Sequence, residues 1–261
     1  MILTEKMLLS ALLITYNEES NITDVLNNLA FADEIIIVDS FSTDRTLELA
    51  SEFKNIKITQ RVFDNFASQR NFALSLATHP WILFVDADER LTPELQNEIS
   101  TVINQEKSAS AYFVHRDFMF ENKKLKYSGW QTDKIIRLFK KEKASYNPEK
   151  IVHEKLIVEG KTKKLKNKLI HHSYSNYNDY KQKMIFYGHL KAQEEFVKKT
   201  KPNFFHFYIR PAYKFLNQYI VRFGFLDGKK GIIICYLNAL SVAVRFKELK
   251  KIWEKPTTSR I

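Results

Sequence analysis

The chain has 261 residues, a formal net charge of +11 and a single cysteine. That length holds one large α/β domain or a domain with an appendage, and Cys235, as the only cysteine, excludes an internal disulfide framework and agrees with a reducing cytoplasm. Residues 1–7 lack a basic region followed by a long apolar stretch, so no signal peptide is read and the chain is expected to stay inside the cell.

Residues 8–15 form an apolar run of strand length that ends at Tyr16-Asn17-Glu18-Glu19, and residues 21–29 then carry Ile22, Val25, Leu26 and Leu29 at helical spacing. Ile35-Ile36-Ile37-Val38 is a continuous β-branched run, the pattern of a strand covered on both faces, and it stops at Asp39-Ser40-Phe41-Ser42-Thr43-Asp44. A helix is predicted over 46–53, with Leu47, Ala50 and Phe53 on one side, a third strand over 56–59, a helix over 67–77 and a fourth strand over 81–85. This alternation predicts an α/β fold: a Rossmann-like, mostly parallel sheet with helices on both faces, which sets Tyr16, Asp39 and Asp86 at the carboxyl ends of three strands, facing one crevice.

Asp86-Ala87-Asp88-Glu89 follows the fourth strand directly. Two aspartates one residue apart point the same way from an extended backbone, so both can approach a single divalent cation that in turn holds a diphosphate. An isolated Asp-x-Asp more often caps a helix or decorates a turn; the position at the end of a buried strand favours the chemical reading.

Thr15-Tyr16-Asn17-Glu18-Glu19, the 38–46 stretch Val38-Asp39-Ser40-Phe41-Ser42-Thr43-Asp44-Arg45-Thr46, Gln69-Arg70-Asn71-Phe72-Ala73-Leu74 and Val85-Asp86-Ala87-Asp88-Glu89 together resemble the ordered motifs of inverting family-two glycosyltransferases with the GT-A fold. Gly129-Trp130-Gln131-Thr132-Asp133, Arg137-Leu138-Phe139, Val152-His153-Glu154, His172-Ser173-Tyr174-Ser175 and Gly224-Phe225-Leu226-Asp227-Gly228 resemble the subgroup of lipopolysaccharide-core β-1,4-glucosyltransferases, so the likeness spans roughly residues 8–246. Phe41 stands where that subgroup commonly has glycine, and Gln131-Thr132 replaces a more usual proline-containing loop.

The resemblance implies a donor site made by Thr15, Tyr16, Glu18, Asp39, Arg70 and Asp86. Tyr16 would stack on a uracil ring and Asp39 accept its imide N–H, although Tyr16 also reads as a rim aromatic and Asp39 as a cap for the turn through Ser40 and Ser42. Arg70, fixed in charge and forked, suits a carbonyl or phosphate oxygen, or else pairs with a nearby acid. Asp88 is the expected direct ligand of Mn2+ or Mg2+, Asp86 a ribose or water-bridged metal contact, and His153 a metal or diphosphate contact or a structural histidine. Inverting transfer also needs a base for the acceptor hydroxyl, and Glu154, ahead of Asp133, is the expected one. His171 and His172 form a further histidine pair of open role, and the histidine spacing is not that of a closed zinc site.

Charge divides along the chain: residues 1–100 hold 7 Lys and Arg against 16 Asp and Glu, the remainder 34 against 14. The basic half fits an anionic membrane leaflet or a phosphorylated glycolipid; no specific nucleic-acid partner is expected. Residues 204–225 are rich in aromatics, and the apolar run 231–244 is too short for a span of roughly 20 residues, so it reads as an interfacial helix, a short re-entrant hairpin or a buried helix. The expected organisation is a GT-A catalytic domain over 1–200, with a nucleotide-sugar half (1–100) and an acceptor half (101–200), followed by a helical amphipathic, membrane-associating tail over 201–261. The expected activity is inverting, metal-dependent transfer of a sugar from a nucleotide sugar, with UDP-glucose first in line, to a lipid-linked glycan acceptor such as the lipopolysaccharide inner core. The enzyme would be cytoplasmic and peripheral on the inner face of the cell membrane. A capsular or other surface polysaccharide precursor or a protein is the alternative acceptor, and a nonenzymatic nucleotide-sugar or nucleic-acid binding module the reading from another class.

Overall fold

A computed structural model describes residues 7–121, 123–130, 133–147, 156–174 and 176–254. The chain divides into two units, the first Met1–Arg116 with Lys134–His171, the second Asp117–Asp133 with His172–Ile261.

Alternation of side chains along buried strands builds the first unit. Leu9, Ala11, Leu13, Ile35, Ile37, Trp81 and Leu83 enter one apolar cluster, whereas their neighbours Leu12, Ile36, Val38, Ile82 and Phe84 enter the other. Strands that feed a core on each face need no polar alternation, which is why the runs read as continuous apolar sequence. These strands are β1 (Leu9–Thr15), β2 (Glu34–Asp39), β3 (Ile56–Gln60) and β4 (Trp81–Phe84), separated by α1 (Ile22–Leu29), α2 (Thr46–Ser51) and α3 (Phe66–Leu76). Helix α1 and the later α4 (Pro93–Ile103) cover one face through Val25, Leu26, Leu95 and Ile99; α3 covers the other through Ala67, Ala73 and Leu74. Asn65 starts α3 by accepting from the Ser68 N–H at 2.9 Å, and Thr92 starts α4 by accepting from the Leu95 N–H at 3.3 Å.

The remaining strands are β5 (Glu89–Leu91), β6 (Ala111–Phe120), β7 (Lys123–Leu125), β8 (Lys134–Lys140), β9 (Ala144–Tyr146), β10 (Leu156–Val158) and β11 (Thr162–Tyr174). The main sheet runs β3-β2-β1-β4-β8-β6-β11-β5. Pairing is parallel from β3 to β4 and antiparallel where β8 meets β4 and β6 and where β5 meets β11. After α4 the described chain has no α-helix until Tyr177, and strands without helical crossovers pair antiparallel. The GT-A expectation of an α/β fold is therefore met by a mixed sheet, parallel over β1 to β4 and antiparallel beyond. Strands β9 and β10 form a separate antiparallel pair.

The second unit is mainly helical: α5 (Tyr177–Val197), a π-helical turn (Phe205–Ile209), α6 (Arg210–Leu216), a second π-helical turn (Asn217–Val221), a 3-10 turn (Gly224–Asp227) and α7 (Gly228–Glu254). Tyr180, Met184, Ile234 and Leu237 of α5 and α7 share a core with Phe118, Phe120 and Leu125. Gly188 allows the close crossing of these helices, since a Cβ there would lie 2.9 Å from the Ser241 carbonyl oxygen. In the 231–244 run Gly231, Ile234, Cys235, Leu237, Ala239 and Ser241 are buried. Among the described residues no helix is long and apolar enough to cross a membrane.

Candidate active site at the carboxyl ends of the parallel strands

Parallel register sets the geometry. Thr15 is paired with Asp39, and Asp39 with Gln60, so the loops after β1, β2 and β3 start side by side. Polar side chains lace the first two loops together: the Asn17 N–H donates to Ser42 Oγ at 2.8 Å, the Glu18 N–H to Thr46 Oγ1 at 2.7 Å and the Glu19 N–H to Asp44 Oδ2 at 3.1 Å. Asp39 is fully buried. Its carboxylate accepts from Thr15 Oγ1 at 3.0 Å, from the Ser42 N–H at 2.8 Å and hydroxyl at 2.5 Å, and from Gln60 Nε2 at 3.4 Å. Those bonds use about the four lone-pair positions a carboxylate offers. Tyr16, at the start of the same edge, is 58% exposed.

Phe41 sits in this edge with φ +61°. A left-handed backbone costs a non-glycine residue about 1–2 kcal/mol, so the turn after Asp39 has the shape that suits glycine, even though it carries phenylalanine.

Three consecutive α3 residues each reach a different partner. Gln69 accepts from Arg61 Nη1 at 2.5 Å and donates to Ser40 Oγ at 3.1 Å. Arg70 donates to Asp86 Oδ1 at 2.9 Å, with its guanidinium carbon 4.6 Å from the Phe84 ring centroid and 5.7 Å from that of Tyr146. Asn71 exchanges two hydrogen bonds with the backbone of Tyr146, at 2.8 and 2.9 Å.

The turn after β4 is organised by charge. Arg137 Nη2 donates to Asp86 Oδ2 and, at 2.7 Å, to Glu89 Oε1. Glu89, fully buried, also accepts from Arg116 Nη1 at 3.2 Å and from the Asp86 N–H at 3.1 Å. Burial pushes the Asp86 carboxyl up, but the Arg137 and Arg70 guanidiniums outweigh it and hold Asp86 well below the ordinary carboxylate range. Burial likewise works against the Arg137 charge, and Asp86 and Glu89 more than restore it. Arg90 Nη1 ties the turn by donating to the carbonyls of Ala87 at 2.6 Å and Glu89 at 2.8 Å.

Asp88 has a different environment. Pairing of β5 with β11 sets His171 opposite Glu89, and His171 Nε2 lies 3.3 Å from Asp88 Oδ2. The pair is an ion-pair contact as it stands, and because two ligands at right angles on a metal at about 2.1 Å also stand about 3 Å apart, Asp88 and His171 are the residues that could hold one small divalent cation. Asp86, with an arginine on each oxygen, fits a supporting role. Among the described residues no group of three or more His, Cys, Asp or Glu is arranged around one point, so remaining positions would fall to water and phosphate oxygens.

Of the residues singled out in the sequence, Thr15, Tyr16, Glu18, Asp39, Arg70, Asp86 and Asp88 all lie in the first unit at or next to this strand edge. Asp133 belongs to the second unit, where its N–H donates to the Trp130 carbonyl at 3.1 Å. His153 and Glu154 lie outside the described residues, in the sequence between β9 and β10. Sequence reasoning missed Glu89, Arg116 and Arg137 as a buried charge network and left His171 unassigned. Arg137 stands between the apolar pairs Ile135-Ile136 and Leu138-Phe139, and a charged residue inside an apolar strand run was the available signal.

The second-unit motifs also find each other. Asp227 accepts from the N–H groups of Lys126 and Tyr127, each at 3.0 Å, and from Ser128 Oγ at 2.9 Å, so the Gly224–Asp227 turn holds the segment leading into Gly129-Trp130. Gly224 is needed at this contact, since a Cβ would lie 2.8 Å from both Cys235 Sγ and the Gln218 carbonyl oxygen.

The chain is 26% identical over 259 residues to the lipopolysaccharide core biosynthesis glycosyltransferase LpsC of Rhizobium meliloti, covering 92% of this chain and 93% of LpsC. It is 28% identical over 270 residues to an uncharacterized glycosyltransferase of Rickettsia conorii, covering 99% of this chain and 93% of the relative. A solved structure of S. aureus TarS 1–349 in complex with UDP is similar with a TM-score of 0.48 and 16% identity, over 95% of this chain and 92% of that one. The family description Glycosyl transferase family 2 matches residues 10–158. That match takes in more than half of the residues, every parallel strand and the Asp86-Ala87-Asp88-Glu89 turn among them, and the chain belongs to glycosyl transferase family 2.

Proposed function

We propose that this glycosyltransferase moves a sugar, with inversion, from a UDP-sugar, UDP-glucose first in line, to a saccharide hydroxyl on a lipid-linked glycan such as the lipopolysaccharide inner core. The observation that carries the donor half is the contrast within Asp86-Ala87-Asp88: Asp86 is clamped between Arg70 and Arg137, while Asp88 Oδ2 stands 3.3 Å from His171 Nε2, the spacing of two neighbouring ligands of one cation. The near full-length likeness to LpsC supports the acceptor.

In this reading the Tyr16 face stacks on the uracil, and Asp39 takes the imide N–H by releasing its longest bond, to Gln60. Asp88 and His171 would hold Mn2+ or Mg2+, with His153 as a further ligand. When bound, the cation supplies positive charge against the leaving diphosphate. Arg70 and Arg137 keep Asp86 ionised and aimed without themselves touching the reacting atoms. Glu154 takes the proton of the attacking hydroxyl, in preference to Asp133. The enzyme works in the cytoplasm, at the inner face of the cell membrane.

The deciding experiment is turnover of a panel of UDP-, GDP- and dTDP-sugars with Mn2+, with Mg2+ and with chelator. Metal-dependent hydrolysis or transfer of one UDP-sugar is expected. Asp88→Ala should remove it with the fold intact, and Glu154→Gln should lower turnover far more than donor affinity. If no nucleotide sugar binds, the reading fails; if Asp133→Asn rather than Glu154→Gln stops turnover, the base is Asp133.

A further inference from the structure

In residues 198–230 there are eight Lys and Arg against one acid, Asp227, and Asp227 is buried and engaged by three hydrogen bonds from 126–128. The same stretch exposes large apolar side chains one after another. Phe204 is 70% exposed, Tyr213 66% and Phe223 52%, and Tyr208, Ile220 and Leu226 are exposed as well. Six of the cations, Lys198, Lys199, Lys201, Arg210, Arg222 and Lys229, are exposed too.

This surface belongs to ordered structure with an inner face of its own. Phe207 packs against Phe246 and Leu249 of α7, Gln218 is buried, and Gly231 permits an approach so close that a Cβ would stand 2.0 Å from the Gly224 carbonyl oxygen. Helical geometry then leaves the opposite side of 204–221 bare. Phe223 extends the pattern into the following turn, where φ is +55°. A phenylalanine held left-handed costs about 1–2 kcal/mol relative to ordinary backbone, and here the ring, edge-on to Tyr127 and Phe225, still leaves half its surface in water.

We propose that residues 204–226 form an interfacial membrane-binding face that takes an anionic bilayer leaflet, lying along the headgroups with Phe204, Tyr208, Tyr213 and Phe223 as anchors. Aromatic side chains favour the headgroup level, and exposed lysines and arginines around them meet lipid phosphates. Charge complementarity selects the occupant: a second copy would bring the same cations against these, whereas an anionic leaflet neutralises them. The inference rests on the lipid-linked acceptor only for why such an enzyme works at a bilayer. It also shifts the expected contact away from 231–244, whose helix turns half its residues into the core.

The test is flotation of the full chain with vesicles of phosphatidylcholine alone and of phosphatidylcholine with phosphatidylglycerol, at low and high salt. Binding is expected to require phosphatidylglycerol and to weaken with salt. Phe223→Gly and Tyr208→Ser should each lower vesicle affinity by about tenfold, the effect of withdrawing one aromatic side chain from an apolar contact, and Lys201→Gln by about fivefold. Circular dichroism should be unchanged, and so should UDP-sugar hydrolysis without vesicles. Phe223→Gly relieves backbone strain, so lost binding in that variant is not lost folding. Equal binding to neutral vesicles, no binding at all, or a solution dimer that Phe223→Gly dissociates would each overturn the proposal. Turnover without vesicle binding would leave the transferase reading standing, and vesicle binding without turnover would do the reverse.

Discussion

The strand-end edge of the first unit and the 204–226 face of the second treat unfavourable surface in opposite ways. At the strand edge, charges that would be costly to bury are matched one by one: Asp86 by two arginines, Glu89 by two, Asp39 by four donors. On the helical face apolar side chains that would be costly to expose are left unmatched within their own unit. The first pattern holds a turn rigid for chemistry; the second is what a surface looks like when its partner is another phase. The difference teaches where to cut: single substitutions should damage the first region severely and leave the stability of the second almost untouched.

Arg137→Ala is the sharpest way to break the first pattern. It removes the cation shared by Asp86 and Glu89 and leaves buried negative charge, a change that costs about 3–5 kcal/mol. Urea unfolding should show that loss, and donor affinity should fall with it. Arg137→Lys should recover part of the stability but little of the affinity, because an ammonium on a shorter, flexible stem lacks the fixed aim with which the planar guanidinium sets Nη2 between both carboxylates. If Arg137→Ala unfolds at the parent urea concentration, the network is ornamental.

Acid tests charge matching in the first unit without mutation, at the opposite end of β2, where Glu34 begins the strand. Glu34 is buried, and although burial pushes its carboxyl up, hydrogen bonds from Lys57 at 2.6 Å, Ser10 at 2.6 Å and the Thr78 N–H at 3.0 Å bring it down from 4.5 to about 2. Because the folded value lies below the unfolded one, the stabilisation is complete above pH 4.5 and is lost as pH falls from there towards about 2. Its size is on the order of 3 kcal/mol, since a tenfold difference in proton affinity corresponds to about 1.4 kcal/mol. Urea midpoints measured from pH 6 downward should decline over that window, and Glu34→Gln should flatten the decline while lowering the plateau.

The parallel half was legible because its signals are local. A β-branched run such as Ile35–Val38 announces a two-sided strand, and Asp86 and Asp88 follow the fourth strand without a gap. The antiparallel half was not, because what matters there depends on pairing between distant segments: His171 meets Asp88 only through the β5 and β11 ladder, and no spacing rule links residues so far apart. Arg137 hid inside a strand pattern for the same reason. In the second unit, the apolar run 231–244 is only part of α7, which continues through Phe246 and Leu249 to Glu254 as one helix because burial of those two residues follows the run after an interval of charge.

In the second unit the comparison predicts one point of fragility inside an otherwise tolerant surface. Asp227→Ala would strip three hydrogen bonds from Lys126, Tyr127 and Ser128 and leave a buried hydroxyl unmatched, about 2–3 kcal/mol in all. Thermal unfolding should detect it, while Leu226→Ser next door should move the midpoint by much less. Equal effects at 226 and 227 would mean that the exposed residues are packed in solution after all, against a second copy or another protein.

Phe41→Gly has the smallest expected effect and the opposite sign. Phe41 and Phe223 share the left-handed backbone and the half-exposed ring, but they stand in the two contrasting regions. Glycine at 41 releases about 1–2 kcal/mol of backbone strain and returns up to about 1 kcal/mol through the greater freedom of the unfolded chain, so the net gain is a fraction of a kcal/mol to about 1. Urea denaturation should register a small rise in stability at both sites. What separates them is function: at 223 the gain should come with weaker vesicle binding, and at 41, on the turn that buries Asp39 against Ser42, with a change in donor KM and none in vesicle affinity. If Phe41→Gly leaves KM as it was, the aromatic ring at 41 is a tolerated deviation in the turn; if KM rises, the ring takes part in holding the donor, and the strain at that position is retained for binding.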